Sequence, residues 1–272
     1  MSPSIRVRSA VARLGRIERD AARAQAKLIA TLRREILAEL ASASSFRRWQ
    51  LQGVLDAVDR FVAEGSRAAG ASAVSYARQA AGVGTEIVAA GGGAAAATGG
   101  LAGVSHALLD AILNHVRREV HDVWRELGAK LVGTIRRVTL GVDDPFKAMQ
   151  KLARTLMSPK TFPSKFARAE AIVRTEVNRT FSIATNASAR AADDAAKAIG
   201  GHYVKWWLSA EDERVRPDHV RAAEDYTEDK AIPLDEPFMV GGEPMRYPLD
   251  PQASAGQTVN CRCVQLQKEV LT

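Results

Sequence analysis

Apolar residues recur at steps of three and four up to about residue 200, which predicts a series of long amphipathic helices. The first helix is expected over residues 7–40, and "SASS" at 42–45 is expected to break it. A second helix restarts near Phe46 and is weakened at Gly65 and Gly70, and a third covers residues 104–140. The apolar stripes contain Val7, Val11, Leu14, Ala21, Leu28, Leu32 and Leu40, then Val54, Leu55, Val58, Phe61 and Val62, then Ile112, Val116, Val120, Val123, Leu127 and Leu131.

Two more helices are expected before residue 200. One covers residues 143–157, with Pro145 in its first turn, where a proline is tolerated. A loop follows, and Ser164 is then expected to cap a long helix that runs to about Ile199. Gly200 and its neighbour are expected to end that helix.

The pattern of apolar and polar residues changes after Gly201. "HYVKWWL" at 202–208 alternates in polarity, which predicts a strand. An acidic turn at 209–219 and a short helix through Tyr226 follow, then a hairpin around Gly241 and Gly242 and a final strand "CRCVQLQ". The predicted fold class is mainly α, with long N-terminal helices and a small C-terminal α+β module.

A glycine- and alanine-rich segment divides the helical part. Residues 87–109 contain no Asp, Glu, Lys or Arg and six glycines, which weaken a helix and add little hydrophobic area. We therefore expect a linker near 82–103, or close helix packing through small residues, and membrane insertion is disfavoured. The predicted domains are a helical region at 1–160 and a module at 161–272.

Charge is unevenly spread along the chain. Residues 1–50 carry a net charge of +7, whereas residues 205–272 carry −5. The opening "MSPSIRVRSA" shows no secretory signal. A basic arm favours DNA or an acidic protein surface, and a solvated helix face is the alternative. The candidate contacts are Arg6, Arg8, Arg13, Arg16, Arg19 and Arg23.

The only two cysteines, Cys261 and Cys263, lie two residues apart. In a strand they would face the same side, where His219 could join them as zinc ligands. The alternative is that both are small apolar core residues. A thiol enzyme lacks support, because no glycine-rich oxyanion turn lies near either cysteine. Candidates for a fourth zinc ligand are Asp212, Asp218, His202 and water.

Five motifs in order resemble the Mu F-like minor head proteins, also called phage head morphogenesis proteins. They are a helix "AEAIVRTEVNRTF" (169–181), the strand and acidic turn of "VKWWLSAEDERVRPDH" (204–219), the hairpin "GGEPMRYP", and "NCRCV" (260–264). The doubled Trp206–Trp207 departs from the family's single tryptophan. The resemblance implies a low-copy virion protein, without catalytic activity, that assists head assembly and DNA packaging or delivery.

The resemblance also implies partners and a location. The partners are the portal protein, the major capsid or scaffold proteins, and genomic DNA; the location is the virion head, or the host cytoplasm during assembly. Either Arg174 or Glu176 is expected to point into the C-terminal module and pair with a charge there, because residues two apart cannot share a helix face; the acidic turn offers several such partners. The residues expected to join the long helix to the module, the helix–module set, are Arg174, Glu176, Asp212, Arg216, His219, Asn260, Cys261 and Cys263. Two rival functions are a DNA-binding or ejected virion protein and a zinc or thiol enzyme.

Overall fold

The computed structural model describes residues 3–42, 48–91, 104–139 and 162–271. The chain divides into two compact units. The first unit combines residues 1–20, 75–114 and 174–272, and the second combines residues 21–74 and 115–173. Each unit is therefore assembled from segments that are distant in the chain.

Four long helices dominate the described residues, as the apolar stripes predict. They are α1 (Pro3–Ser42), α2 (Arg48–Gly91), α3 (His106–Thr139) and α4 (Phe162–Lys197). Helix α4 begins two residues before Ser164, so the predicted cap is wrong and Ser164 lies in the first turn. It ends where expected, and Gly200 adopts a positive φ of 82° after it.

Helix α2 continues past the glycines that the sequence analysis expects to weaken it. In the second unit these glycines allow close packing between helices. A Cβ at Gly65 would lie 2.2 Å from the ring of Trp124, which is buried in α3. Gly128 of α3 in turn approaches Val62 so closely that a Cβ would lie 2.7 Å from its side chain. The missing side chains let two helices approach each other, so glycine at these positions does not end the helix.

The predicted linker near 82–103 is helical at its start, since α2 continues to Gly91. Residues 92–103 and the helix expected over 143–157 lie outside the described residues. None of the helices in the described ranges has the length and apolar character needed to cross a membrane.

A small α+β region follows α4 in the first unit. Its elements are β1 (Gly201–Leu208), α5 (Pro217–Asp225), a 3₁₀ turn (Glu228–Lys230), β2 (Ile232–Pro233), β3 (Phe238–Val240), β4 (Glu243–Met245), α6 (Ala255–Thr258) and β5 (Val264–Leu271). β1 lies between β2 and β5 in an antiparallel sheet, and β3 pairs with β4. This arrangement confirms the predicted fold class.

The buried face of β1 is not the more hydrophobic of its two faces. Tyr203, Lys205 and Trp207 are buried, whereas the face that carries Trp206 is half-exposed. The buried Lys205 ammonium donates to the carbonyl oxygen of Arg246 at 2.7 Å and lies 4.7 Å from the Phe238 ring centroid. These contacts compensate in part for taking the charge out of water.

The hairpin between β3 and β4 places a compact apolar core beside β1. Gly241 and Gly242 have φ values of 58° and 82°, as a tight two-residue turn requires. Val240 and Glu243 pair across that turn. The core cluster consists of Trp207, Ala222, Phe238, Val240, Met245, Leu249, Cys261 and Cys263.

Candidate metal centre

A sharp turn before β5 brings the two cysteines to the core. The short helix α6 ends at Thr258, and Asn260 then adopts a left-handed φ of 57°, which asparagine tolerates better than most residues. The final strand begins at Val264, so the prediction that it includes Cys261 and Cys263 is wrong. Because of the turn, both thiols nevertheless approach the same imidazole.

His219 of α5 lies beside both thiols. Its Nδ1 is 3.3 Å from the Cys263 Sγ and 3.5 Å from the Cys261 Sγ. All three ligand atoms lie within 4.8 Å of one another, and all three residues are buried. The structure therefore brings together the three residues that the sequence nominates as metal ligands.

A hydrogen-bond chain fixes the orientation of the His219 ring. The Nε2 of His219 lies 2.9 Å from Gln257 Oε1, and Gln257 Nε2 donates to Asp218 Oδ2 at 3.3 Å. In the neutral imidazole, an Nε2–H that donates to Gln257 leaves a lone pair on Nδ1, which faces the sulfur atoms. The edge of Trp207 packs against the same ring, with centroids 5.5 Å apart.

Gly241 supports this chain from the hairpin. A Cβ there would lie 2.3 Å from Gln257 Nε2 and 2.6 Å from Asp218 Oδ2. Only glycine leaves room for the Gln257–Asp218 hydrogen bond beside a turn of positive φ. The hairpin is thus in direct contact with the groups that orient His219.

The two thiols titrate differently because they are close together. A hydrogen bond from Cys263 and the adjacent His219 lower the pKa of Cys261 below the ordinary thiol value. The hydrogen bond to Cys261, burial and the nearby negative charge raise the pKa of Cys263. The neighbouring thiols thus favour ionisation of one and oppose ionisation of the other.

The carboxylates proposed as a fourth ligand are engaged elsewhere. Asp212 accepts two hydrogen bonds from Arg262, at 2.5 and 2.6 Å, and this pairing holds the pKa of Asp212 well below its usual range. Asp218 is the acceptor for Gln257. His202 is in β1 opposite Val270, and the one potential metal-ligand group in the described part of the chain contains only His219 and the two cysteines.

A pocket of about 10 Å³ adjoins this cluster. Residues at its wall include His219, Cys261 and Cys263, together with Arg214 and Arg216 of the acidic turn. This volume is about the minimum that holds one water molecule. The cluster can therefore accept one small atom or molecule, and the pocket is too small for an organic substrate.

The long helix α4 is joined to this turn by Thr175 and Asn178, which the sequence does not single out. Thr175 Oγ1 accepts a hydrogen bond from the backbone N–H of Asn260 at 3.0 Å. Asn178 Nδ2 donates to the carbonyl oxygen of Cys261 at 3.3 Å. Both helix residues are buried, so these hydrogen bonds fix the cysteine-bearing turn against the helix.

Residues 143–266 match the family described as phage Mu protein F like protein. The match extends over less than half of the chain, and this segment is similar to the Mu F-like family. The family consists of structural phage head proteins and indicates a role in phage head morphogenesis. No curated protein and no solved structure matches the chain. The Mu F-like segment, residues 143–266, includes α4, the hairpin and all three residues of the cysteine–histidine cluster.

The predicted charge pairing of helix α4 with the C-terminal module is not made by Arg174. Its guanidinium instead binds Glu18 of α1 at 2.8 Å, a residue outside the Mu F-like segment. Glu176 accepts a hydrogen bond from Arg179 one turn along the same helix. Helix periodicity shows which faces the two charges occupy, but it carries no information about a partner 156 residues away.

The remaining members of the helix–module set close the acidic turn of the Mu F-like segment. Asp212 binds Arg262, which lies between the two cysteines. Arg216 donates to the carbonyl oxygen of Val259. The neighbouring acidic and basic residues at 212–216 and a lone arginine in "CRC" are a weak signal for this pairing, whereas Gln257 carries no sequence signal of its role.

The arginines of the basic arm lie on α1 between residues 6 and 23. The arginines at 6, 8, 16, 19 and 23 are exposed, and Arg13 is half-buried in an ion pair with Glu86 of α2. At about 100° per residue, Arg8, Arg16 and Arg19 fall within an arc of about 80°. The arm therefore presents at least three arginines on one side of its helix.

Proposed function

We propose that this protein is a minor head protein of a tailed phage or a prophage-derived particle. It is associated with the portal, and it aids head assembly and genome packaging or delivery. The observation that carries this proposal is the match of residues 143–266 to the Mu F-like family. The portal protein is the principal expected partner, with major capsid or scaffold proteins as further contacts.

The architecture of the first unit supports a structural role. The contacts of Thr175, Asn178 and Arg174 join residues from α1, α4 and the cysteine-bearing turn through buried or half-buried polar groups. Such a network fixes the relative positions of these elements, as a structural role requires.

The cysteine–histidine cluster also favours a structural protein over an enzyme. A zinc or thiol enzyme needs space for a substrate next to the reacting atom, and ligand pockets typically have volumes of about 300 Å³ or more. The pocket at His219, Cys261 and Cys263 is about 10 Å³. A structural role for these residues is consistent with that size.

Quantitative mass spectrometry of purified particles tests the proposal. Particles are produced from the host that carries this gene, and immature and mature heads are separated on a gradient. The protein should co-purify with heads at a few copies per particle, and crosslinking should connect it to the portal protein. Its absence from both kinds of head would overturn the assignment, and crosslinks only to distant capsid positions would overturn the portal association.

A second candidate function is DNA binding by the basic arm. The exposed arc of Arg8, Arg16 and Arg19 favours it, because a row of arginines on one helix face can follow a phosphate backbone. This activity is compatible with a head protein that contacts the genome during packaging or delivery. A steep dependence of DNA affinity on salt concentration would support it.

A further inference from the structure

We propose that His219, Cys261 and Cys263 bind a zinc ion, with a small ligand such as water in the fourth position. The proposal concerns the folded protein alone and does not depend on its role in the head. It places a metal beside the turn that precedes β5 and is hydrogen-bonded to helix α4, where it would stabilise the contact between the turn and the helix.

The distances between the three side chains suit zinc. With Zn–S bonds of about 2.3 Å and a Zn–N bond of about 2.0 Å, tetrahedral geometry separates the nitrogen from each sulfur by about 3.5 Å. The Nδ1 of His219 lies 3.3 Å from one sulfur and 3.5 Å from the other. Small side-chain shifts of a few tenths of an ångström are therefore enough to place a zinc ion among the three atoms.

The groups around His219 match the supporting shell of a metal site. Metal-bound histidines usually donate their second ring N–H to an oxygen, which fixes the tautomer and the direction of the ligand lone pair. Here Gln257 Oε1 accepts from His219 Nε2, and Asp218 Oδ2 accepts from Gln257 Nε2. A cluster of apolar packing residues alone would require neither this chain nor the space that Gly241 leaves for it.

Charge and space are also appropriate for zinc. Two thiolates, one neutral imidazole and Zn²⁺ have no net charge, so the site needs no further counter-ion in the interior. The neighbouring Arg262 is already paired with Asp212. The adjoining pocket of about 10 Å³ is close to the minimum volume that holds one water molecule as a fourth ligand.

Metal analysis of the full-length protein tests the site without any substitution. Protein purified without chelator should contain about one equivalent of zinc. Replacement by Co²⁺ should produce a thiolate-to-cobalt charge-transfer band and the intense visible bands of tetrahedral cobalt. Less than about a tenth of an equivalent of zinc, together with no cobalt spectrum after metal addition, would overturn the proposal.

Variants then test which residues hold the ion. Cys261→Ser, Cys263→Ser and His219→Gln should each weaken zinc binding, measured by competition with a chromophoric chelator, and both cysteine variants should reduce the charge-transfer band. Zinc binding and a cobalt spectrum that are unchanged in all three variants would place the metal elsewhere and overturn the site. Since these variants can also lose stability, the wild-type cobalt spectrum remains the primary result.

Gln257 provides a test outside the ligands themselves. Gln257→Leu should lower zinc affinity by about 10- to 100-fold, because the His219 ring loses its orienting acceptor. Gln252→Leu is the matched control, since Gln252 is exposed and only its backbone N–H contacts Asp250. Equal affinities of the two variants for zinc would contradict coordination through Nδ1 of His219.

Discussion

Glu18 and Arg174, 156 residues apart in the chain, form an ion pair with an N–O distance of 2.8 Å. The two partners differ in their surroundings: the Glu18 side chain is 8% exposed, whereas that of Arg174 is 31% exposed. Glu18 also accepts from Asn178 at 3.4 Å. The carboxylate is therefore the partner that depends on the pair for compensation of its charge.

This asymmetry predicts unequal effects of removing either charge. Arg174→Met leaves a buried carboxylate without its cation and should lower the free energy of unfolding by about 3 kcal/mol. Glu18→Gln should cost only about 1 kcal/mol, because the half-exposed guanidinium can be hydrated. Urea denaturation of both variants and of the double variant measures these values. A loss for Glu18→Gln equal to or above that for Arg174→Met would contradict the assigned burial.

Gly65 and Gly53 of α2 form a matched pair for a test of helix packing. An alanine at Gly65 would place its Cβ 2.2 Å from the Trp124 ring, whereas nothing lies within 4 Å of a Cβ at Gly53. Gly65→Ala should therefore destabilise the protein by about 1–3 kcal/mol. Gly53→Ala should stabilise it by about 0.5–1 kcal/mol through helix propensity.

Thermal and urea unfolding of the two alanine variants provide the measurement. The prediction concerns opposite signs at two positions of one helix, so a general effect of glycine replacement cannot produce it. Stabilisation by Gly65→Ala would mean that the close approach of α2 and Trp124 does not exist.

Lys205 should give the unfolding free energy an alkaline pH dependence. Burial, with a smaller contribution from Arg190, lowers the pKa of Lys205 to about 8, although Asp235, Glu236 and Asp250 oppose the shift. Between about pH 8 and the ordinary lysine value of 10.5, the unfolded chain binds this proton and the folded chain does not. Stability contributed by Lys205 should therefore rise with pH in that window, by up to about 1.4 kcal/mol per pH unit.

The measurement is the difference in unfolding free energy between wild type and Lys205→Met across that pH window. The difference should change in favour of the wild type as the pH rises. Lys230→Met, at an exposed lysine, is the control and should show no comparable trend. A pH-independent difference for Lys205→Met would show that the ammonium is not buried as described.

DNA binding by the basic arm should depend on the arginines that share one helix face. Reversing Arg8, Arg16 and Arg19 to glutamate should weaken DNA binding and flatten the log–log salt slope by about 0.9 for each lost phosphate contact. The matched control reverses three exposed arginines of α2 and α3 and changes net charge equally. These control positions are Arg67, Arg78 and Arg118.

Fluorescence anisotropy with a labelled duplex at several salt concentrations measures both slopes. A larger loss in the arm variant than in the control assigns DNA contact to α1. Equal losses would indicate a nonspecific effect of net charge, and unchanged slopes would assign the arm arginines to a solvated helix surface.

Sequence periodicity predicts the helices well because their core stripes repeat at short range. Val116 and Val120 of α3 are buried, as their spacing requires. The role of Gly65 could not be predicted, because its partner Trp124 lies 59 residues further along the chain. Local helix propensity identifies a glycine as a residue that destabilises a helix. Tertiary packing can instead make the glycine the place where another helix approaches closely.

The three candidate ligands of the site could be predicted from the sequence, whereas the residues that position them could not. Cys261, Cys263 and His219 are distinctive residue types, so the sequence nominates them directly. The chain reaches them through a turn at Asn260, however, and not through the expected strand. Gln257, Thr175 and Asn178 are common polar residues whose hydrogen bonds depend on three-dimensional proximity, which no local pattern records.

The make-up of the first unit has a consequence for biosynthesis. Its residues 3–20 leave the ribosome before residues 174–271, which are among their partners in the same unit. At about 5–20 residues per second, roughly 10 to 50 s of translation separates the synthesis of Glu18 from that of β5. During that interval the apolar stripe of the nascent first helix lacks its final neighbours. Completion of this unit is therefore coupled to the synthesis of residues 174–271.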